Sequence, residues 1–120
     1  MTENKSYILK DSEGEIICNR MLVADAILNR MKGLMFTTDL TSGDGLLITP
    51  CNSIHTFFML YGLDVLFLDK NFKVIKVIYN LTPWKITRMY FKASQVVEMK
   101  AGTMKKNLHI GDKLEAICIS

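Results

Sequence analysis

The sequence predicts a single domain of mainly β structure, built as a small antiparallel-rich barrel or sandwich with one short helix. Three observations support this prediction. Short stretches rich in β-branched and aromatic residues recur along all 120 residues. Glycine, asparagine and aspartate separate these stretches as turn residues. One longer stretch instead has apolar residues at helical spacing.

The N-terminal part of the chain predicts a β-hairpin followed by that helix. Residues 7–10 and 16–23 are predicted strands with turn residues between them. Asp25 is a typical helix N-cap, and apolar residues within 26–32 recur at helical spacing. Gly33 is predicted to end the helix in the left-handed conformation.

The other predicted elements are strands. They cover residues 46–49, 54–59, 63–68, 72–79, 94–99 and 114–119. Residues 60–62 are predicted to turn or kink the chain between two of these strands. Lys73 and Lys76 fall on opposite faces of their strand, which indicates that this strand lies near an edge of the sheet or is strongly twisted.

Composition and charge argue against several classes of function. The formal net charge is +3, and the lysines are scattered with only Lys105 and Lys106 adjacent, so no nucleic-acid partner is expected. Cys18, Cys51 and Cys118 have no zinc-ligand spacing. Cys18 and Cys118 lie in predicted strands, where they are expected to be buried in the core. The sequence also lacks a glycine-rich phosphate loop and a His-Glu-x-x-His motif. We therefore predict no cofactor and no metal site.

The cellular location is predicted from the N terminus and from hydropathy. The first ten residues are polar and lack the apolar region of a signal peptide. No apolar run approaches the length of a membrane span. We therefore expect a cytoplasmic protein without a membrane span.

The stretch from Pro50 to Asp69 holds the candidate chemical groups, Cys51, His55 and Asp64. Cys51 and His55 suggest a thiolate–imidazole dyad. Four residues of extended strand span roughly 13 Å, so the two side chains meet only if the chain curls between them. The alternative is a buried cysteine that behaves as a small hydrophobe. The residues therefore assign no catalytic group.

His55 and Asp64 interrupt apolar strands, where a polar side chain needs a hydrogen-bond partner. If the intervening turn forms a hairpin, the two lie at one end of the barrel as a coupled polar pair. The predicted ligand-binding set adds Thr56, Met59 and Trp84, with Met59 lining the mouth of the barrel and the Trp84 loop covering it. The alternative is structural, with His55 bonded to a carbonyl and Asp64 to backbone N–H groups.

Ordered motifs along the chain point to a known family. They are Arg30-Met-Lys-Gly-Leu-Met35, Pro50-Cys-Asn-Ser-Ile-His-Thr56, Met59, Leu63-Asp-Val-Leu-Phe-Leu-Asp69, Pro83-Trp84-Lys85, Val97-Glu-Met-Lys-Ala-Gly102 and Gly111-Asp112. Taken in this order they resemble the prokaryotic family catalogued as domain of unknown function 192. The resemblance implies a compact, mainly β domain with one helix, whose activity is unassigned.

The sequence departs from the family pattern at two positions. Leu60 stands where the family often has a basic residue, and Gly62 stands where it often has proline. If that basic residue binds an anionic ligand in relatives, this chain lacks the contact. Many relatives resemble exported proteins with a signal peptide or lipid anchor, which residues 1–10 do not show.

Three functions remain open. The favoured one is a non-enzymatic module that binds a small molecule or a peptide in a pocket near His55 and Asp64. A second is an accessory protein-interaction subunit of a larger secretion or surface assembly, which would use strand 72–79 as an edge. The third is a hydrolase or thiol enzyme that depends on Cys51 and His55. The sequence assigns no oligomeric state.

Overall fold

A computed structural model describes residues 5–25, 43–57, 59–104 and 107–119 of the chain. Seven strands form one sheet in the order β5-β4-β6-β3-β2-β1-β7. The strands are β1 (Ser6–Asp11), β2 (Ile16–Asp25), β3 (Gly45–Thr49), β4 (Leu63–Leu68), β5 (Val74–Leu81), β6 (Gln95–Lys100) and β7 (Leu114–Cys118). The mainly β prediction is therefore confirmed.

The first two strands form the predicted hairpin. They pair antiparallel, with Tyr7 opposite Met21. In the connecting turn, the Asp11 carboxylate accepts hydrogen bonds from the backbone N–H groups of Glu13 and Glu15, both at 2.9 Å. Because this carboxylate satisfies two N–H groups that the ladder leaves unpaired, the turn residues hold the two strands together.

One strand pair is parallel, and the others are antiparallel. In β2 and β3, Met21 lies opposite Gly45 and Asp25 lies opposite Thr49, so both strands run in the same direction. A parallel pair requires a crossover connection, which must pass through residues 26–44. The predicted helix over 26–32 and its end at Gly33 lie outside the described residues, and the structure shows no helix in the residues it does describe.

The sheet curves into a half-barrel whose two outermost strands approach each other at one corner. The N–H of Val74 donates to the Asp112 carbonyl at 2.8 Å, and the Gly111 N–H donates to the Val74 carbonyl at the same distance. The Leu114 N–H donates to the Phe72 carbonyl at 2.9 Å. The prediction that strand 72–79 lies at a sheet edge is confirmed, because β5 is the terminal strand beyond β4.

The concave side of the sheet holds the main hydrophobic core. Side chains from all seven strands fill it, and Met104 and Leu108 enter it from the connection between β6 and β7. The N–H of Leu108 also donates to the Tyr79 hydroxyl at 3.3 Å, which ties this connection to the edge strand β5. Residues 101–104 and 107–110 therefore cover the open side of the half-barrel.

The opposite face of β4 and β6 is covered by two chain segments that are not regular strands. We call residues 51–57, 59–61 and 84–94 the outer layer. The two segments run alongside each other, with Tyr90 N–H donating to the Asn52 carbonyl and Thr87 N–H to the Ile54 carbonyl, both at 2.9 Å. A second hydrophobic cluster lies between this layer and the sheet: Ile54, Met59, Leu63, Val65, Phe67, Ala93 and Val96.

The predicted strand over 54–59 is wrong, and the hairpin with 63–68 on which the His55–Asp64 pair depended does not form. β4 pairs with β5 and β6 instead, and His55 forms an isolated bridge with Ile86. The extended run ends because the Met59 N–H turns back to the Thr56 carbonyl at 3.1 Å. The apolar pattern that suggested a strand reflects burial against β4 and β6 rather than strand pairing.

No helix in the described part of the chain is long and apolar enough to span a membrane.

Phe67 tests the contact between the sheet and the outer layer. Its side chain is fully buried, and its ring centroid lies 4.5 Å from that of Tyr90. We expect Phe67→Ala to lower the free energy of unfolding by about 3–5 kcal/mol, because it leaves a cavity between the two layers. The matched control is Phe91→Ala, in which an exposed ring is removed. Urea denaturation measures both variants, and equal losses would contradict this packing.

Candidate functional site

Asp64 is a buried structural anchor at one end of β4. Its carboxylate accepts hydrogen bonds from the backbone N–H groups of Asn80 at 2.9 Å, Gly102 at 3.0 Å and Met104 at 3.3 Å. The side chain is only 2% exposed. Three N–H donors compensate a buried carboxylate for the water it has lost. Asp64 therefore joins the end of β5 and the chain after β6 to β4.

The structure does not bring His55 and Asp64 together as a pair. All three hydrogen-bond donors to Asp64 are backbone N–H groups, and none belongs to His55. Asp64 and Leu66 are two residues apart, so both side chains lie on the face of β4 that meets the main core. The neighbours of His55 in the outer layer pack against the opposite face of β4. Asp64 thus has the structural role that the sequence left as an alternative.

Thr56 holds the Trp84 loop in place. Its hydroxyl donates to the Thr82 carbonyl at 2.7 Å and accepts from the Lys85 N–H at 2.9 Å. Its backbone N–H donates to the Lys85 carbonyl at 2.8 Å, and its carbonyl accepts from the Trp84 N–H at 3.0 Å. Because Thr56 is fully buried, these bonds form away from water, and Thr56 acts as a positioning residue for the loop.

Three aromatic rings form a continuous stack beside this clamp. The ring centroids of His55 and Phe57 are 4.8 Å apart with an interplanar angle of 24°. Those of Phe57 and Trp84 are 5.9 Å apart with an angle of 29°. We call His55, Phe57 and Trp84 the aromatic stack. Trp84 ends it at the surface, with 60% of its area exposed.

The sequence predicted two members of the aromatic stack and missed the central one. His55 and Phe57 are two residues apart, so in an extended segment their side chains lie on one side. This spacing was available in the sequence as a signal. The position of Trp84 was not, because it depends on the hydrogen bonds that Thr56 makes 26 to 29 residues away. Met59 is 5% exposed and supports the layer from the second hydrophobic cluster.

The three cysteines have different surroundings. Cys18 is fully buried, as predicted, and burial followed by the Asp44 charge raises the pKa of its thiol to about 12. Cys118 was predicted to be buried but is exposed, because β7 is an edge strand. The Cys51 thiol donates to the Ser53 carbonyl at 3.0 Å. It lines a shallow cavity of about 280 Å³ with Pro50, Asn52, Ser53, Ala93 and Ser94.

Glu98 is a buried acid that the sequence reasoning did not single out. It lies in the middle of β6, opposite Leu46 and Val65, and is 5% exposed. Burial raises the pKa of its carboxyl from 4.5 to about 7. Among the described residues, none donates a hydrogen bond to it. The available signal was one acid inside the apolar strand Gln95–Lys100.

Metal binding has no geometric support in the residues that the structure describes. Within them, no three histidine, cysteine, aspartate or glutamate side chains are grouped closely enough to hold a metal ion. The strongest chemical feature of the site is therefore its aromatic surface.

Comparisons with known proteins agree with the family resemblance. The model of the family DUF192, described as "Uncharacterized ACR", matches residues 8–116. The chain belongs to the DUF192 family. A UPF0127 protein of Pyrococcus horikoshii is 36% identical over 110 residues, covering 86% of this chain and 88% of that protein. A UPF0127 protein of Pyrococcus abyssi is 32% identical over 117 residues, covering 92% of this chain and 97% of that protein.

Two solved structures share the DUF192 fold seen here. A protein of unknown function from Novosphingobium aromaticivorans aligns with a TM-score of 0.67, covering 92% of this chain and 83% of that one. A putative transcription regulator from Sinorhizobium meliloti aligns with a TM-score of 0.72, covering 93% of this chain and 92% of that one. Both are 22% identical to this chain, so the likeness is one of fold.

Asp64→Ala tests the anchor at the end of β4. The change leaves three backbone N–H groups without their carboxylate acceptor, so we expect a loss of roughly 2–4 kcal/mol in the free energy of unfolding. Asp69→Ala is the control, because the exposed Asp69 carboxylate accepts from the N–H groups of Asn71 and Lys73, which water can reach. Its loss should be much smaller in the same urea titration. Equal losses would show that Asp64 is not an anchor.

Glu98→Gln tests the cost of the buried acid. The pKa of Glu98 is higher in the folded state, so this state binds the proton more tightly, and the resulting stability is lost as pH rises from about 4.5 to about 7. We expect the native protein to lose roughly 3 kcal/mol over this range, since each pKa unit corresponds to about 1.4 kcal/mol.

The measurement is urea denaturation at pH 5 and pH 8. Glu98→Gln should remove most of the difference between the two pH values. Glu115→Gln, which changes an exposed acid on β7, should retain it. An unchanged difference in Glu98→Gln would assign the pH dependence to other groups.

Proposed function

We propose that this DUF192 domain is a non-enzymatic binding module whose recognition surface is the aromatic stack. The observation that carries the proposal is Trp84, a large ring held at the surface by a buried clamp. Its backbone has a φ of 66°, a left-handed conformation that bulky residues rarely adopt. Such conformations persist where the surrounding structure imposes them, and they are frequent at binding sites.

The stack suits a ligand with a flat or apolar group. Aromatic rings bind other rings and apolar side chains by offset stacking and by excluding water. A small molecule or a peptide with an exposed ring could extend the row formed by His55, Phe57 and Trp84. In this proposal Thr56 positions the Trp84 loop from beneath. Met59 supports the layer from the second hydrophobic cluster, whereas Asp64 anchors the end of β4 on its other side.

The enzyme alternative has weaker support. The thiol of Cys51 donates to a backbone carbonyl, which is not a base and cannot activate it. The interaction-subunit alternative would use the edge strand β5 to pair with a partner. The first residue of that strand, Val74, already forms backbone hydrogen bonds with the chain before β7. Phe57 and Trp84 are the two members of the aromatic stack that neither alternative uses.

Trp84 provides a direct test, because it is the only tryptophan in the chain. We expect aromatic fragments and short aromatic peptides to change its fluorescence in a saturable way. His55→Ala and Phe57→Ala should each weaken this binding at least about tenfold, as expected for the loss of a stacked ring and its buried area. Circular dichroism should show that both variants remain folded.

Phe91→Ala is the matched control, because it removes an exposed ring of the outer layer that is not part of the stack. It should bind the same fragments as tightly as the native protein. If fragments instead bind at the cavity beside Cys51, detected by nuclear magnetic resonance, the stack is not the recognition surface.

A further inference from the structure

One long stretch of the chain is strongly basic. Residues 70–97 contain six basic side chains and no aspartate or glutamate, although the whole chain has a formal net charge of only +3. The cations are Lys70, Lys73, Lys76, Lys85, Arg88 and Lys92. The stretch includes β5 and the second segment of the outer layer, residues 84–94. The positive charge of the protein is therefore concentrated in this stretch of the chain.

The same segment exposes large apolar side chains. Phe91 is 81% exposed, Ile86 71% and Met89 51%, and Leu60 in the adjoining turn is 92% exposed. Ile86, Met89 and Phe91 fall within six consecutive residues of the outer layer, whereas other exposed apolar side chains, such as Ile16 and Ile110, lie apart from one another on the chain. A concentration of exposed apolar side chains indicates a surface that contacts something other than water.

The backbone explains why these side chains point outward. Thr87 and Tyr90 donate their N–H groups inward to the first segment of the outer layer, and Ala93 is buried against the sheet. The residues between them cannot also face the sheet. The outward side chains thus alternate between apolar residues and the cations Lys85, Arg88 and Lys92, all exposed.

We propose that this face, residues 84–92 together with Leu60, docks onto an anionic lipid surface. Ile86, Met89 and Phe91 would enter the headgroup region of the bilayer. Arg88 and Lys92 are long enough to keep their charges at the level of the lipid phosphates while their alkyl stems lie among apolar groups. Each basic residue near an anionic membrane adds about fivefold in affinity, and residues 70–97 contain no acid that would oppose this.

The shape of the face favours a lipid surface over a folded protein partner. Its apolar side chains are 51–92% exposed, whereas a peptide groove largely buries its lining before the partner arrives. Two cavities lined by described residues lie elsewhere, beside Cys51 and beside Asp44. The proposal goes beyond ligand binding by the aromatic stack, because its apolar contacts are Ile86, Met89 and Phe91, which are not part of the stack.

The test is binding of the full chain to lipid vesicles. One set contains phosphatidylcholine alone, and the other contains equal parts of phosphatidylcholine and phosphatidylglycerol. We expect sedimentation only with the anionic vesicles, a loss of binding as salt screens the charges, and a blue shift of Trp84 fluorescence. Lipids brominated near the headgroup should quench Trp84 more than lipids brominated deep in the acyl chain.

Two pairs of variants separate the apolar and the charged contributions. Ile86→Ser with Phe91→Ser should weaken binding at least about tenfold through lost apolar burial. Ile110→Ser is its control, because Ile110 is also 71% exposed but lies in the turn before β7. The double variant Arg88→Gln/Lys92→Gln should weaken binding about 30-fold. Its control is the double variant Lys5→Gln/Lys113→Gln, which removes the same amount of charge elsewhere and should bind as tightly as the native protein.

Several results would overturn the proposal. They are no binding to anionic vesicles, equal binding to neutral vesicles, and equal losses in the control variants. Binding to an acidic peptide or a single-stranded oligonucleotide, with none to vesicles, would assign the face to a different class of partner. Because Ile86 and Phe91 are outside the aromatic stack, fragment binding to Trp84 can persist when vesicle binding fails, and the reverse also holds.

Discussion

The carboxylate of Asp64 is the interaction on which the end of the half-barrel depends. It accepts three backbone N–H groups from two different parts of the chain while almost fully buried. A buried carboxylate without such donors would be costly. The three bonds draw the end of β5 and the chain after β6 onto β4, and this chain continues into Met104 and Leu108, which fill the open side of the half-barrel.

The outer layer is held by polar contacts of the same kind, at Thr56. Its hydrogen bonds to Thr82, Trp84 and Lys85 connect two segments that make no regular strand, so the Trp84 loop is held in one position although no sheet contains it. Glu98 is the contrasting case on β6. It has no hydrogen-bond donor among the described residues, and burial raises the pKa of its carboxyl to about 7. One buried acid thus stabilises the fold, while the other makes stability depend on pH.

Both proposed binding surfaces of this DUF192 domain lie on the side of β4 and β6 that the outer layer covers. Among the described residues, the concave side of the sheet instead holds a packed hydrophobic core. The outer layer exposes rings and cations at the aromatic stack and along residues 84–92. The departure at Leu60 places an apolar, highly exposed residue in the same layer.

The sequence alone determined the strands whose apolar pattern is local. The predicted strand 63–68 coincides with β4, and the turn residues predicted the first hairpin, because alternation and turn chemistry depend on near neighbours. The tertiary structure decided which strands pair and what the buried polar residues contact. Residues 54–59 had the composition of a strand but lie in the outer layer, and Asp64 bonds to groups 16 to 40 residues away. Such contacts depend on how the sheet curves, which no local pattern of residues specifies.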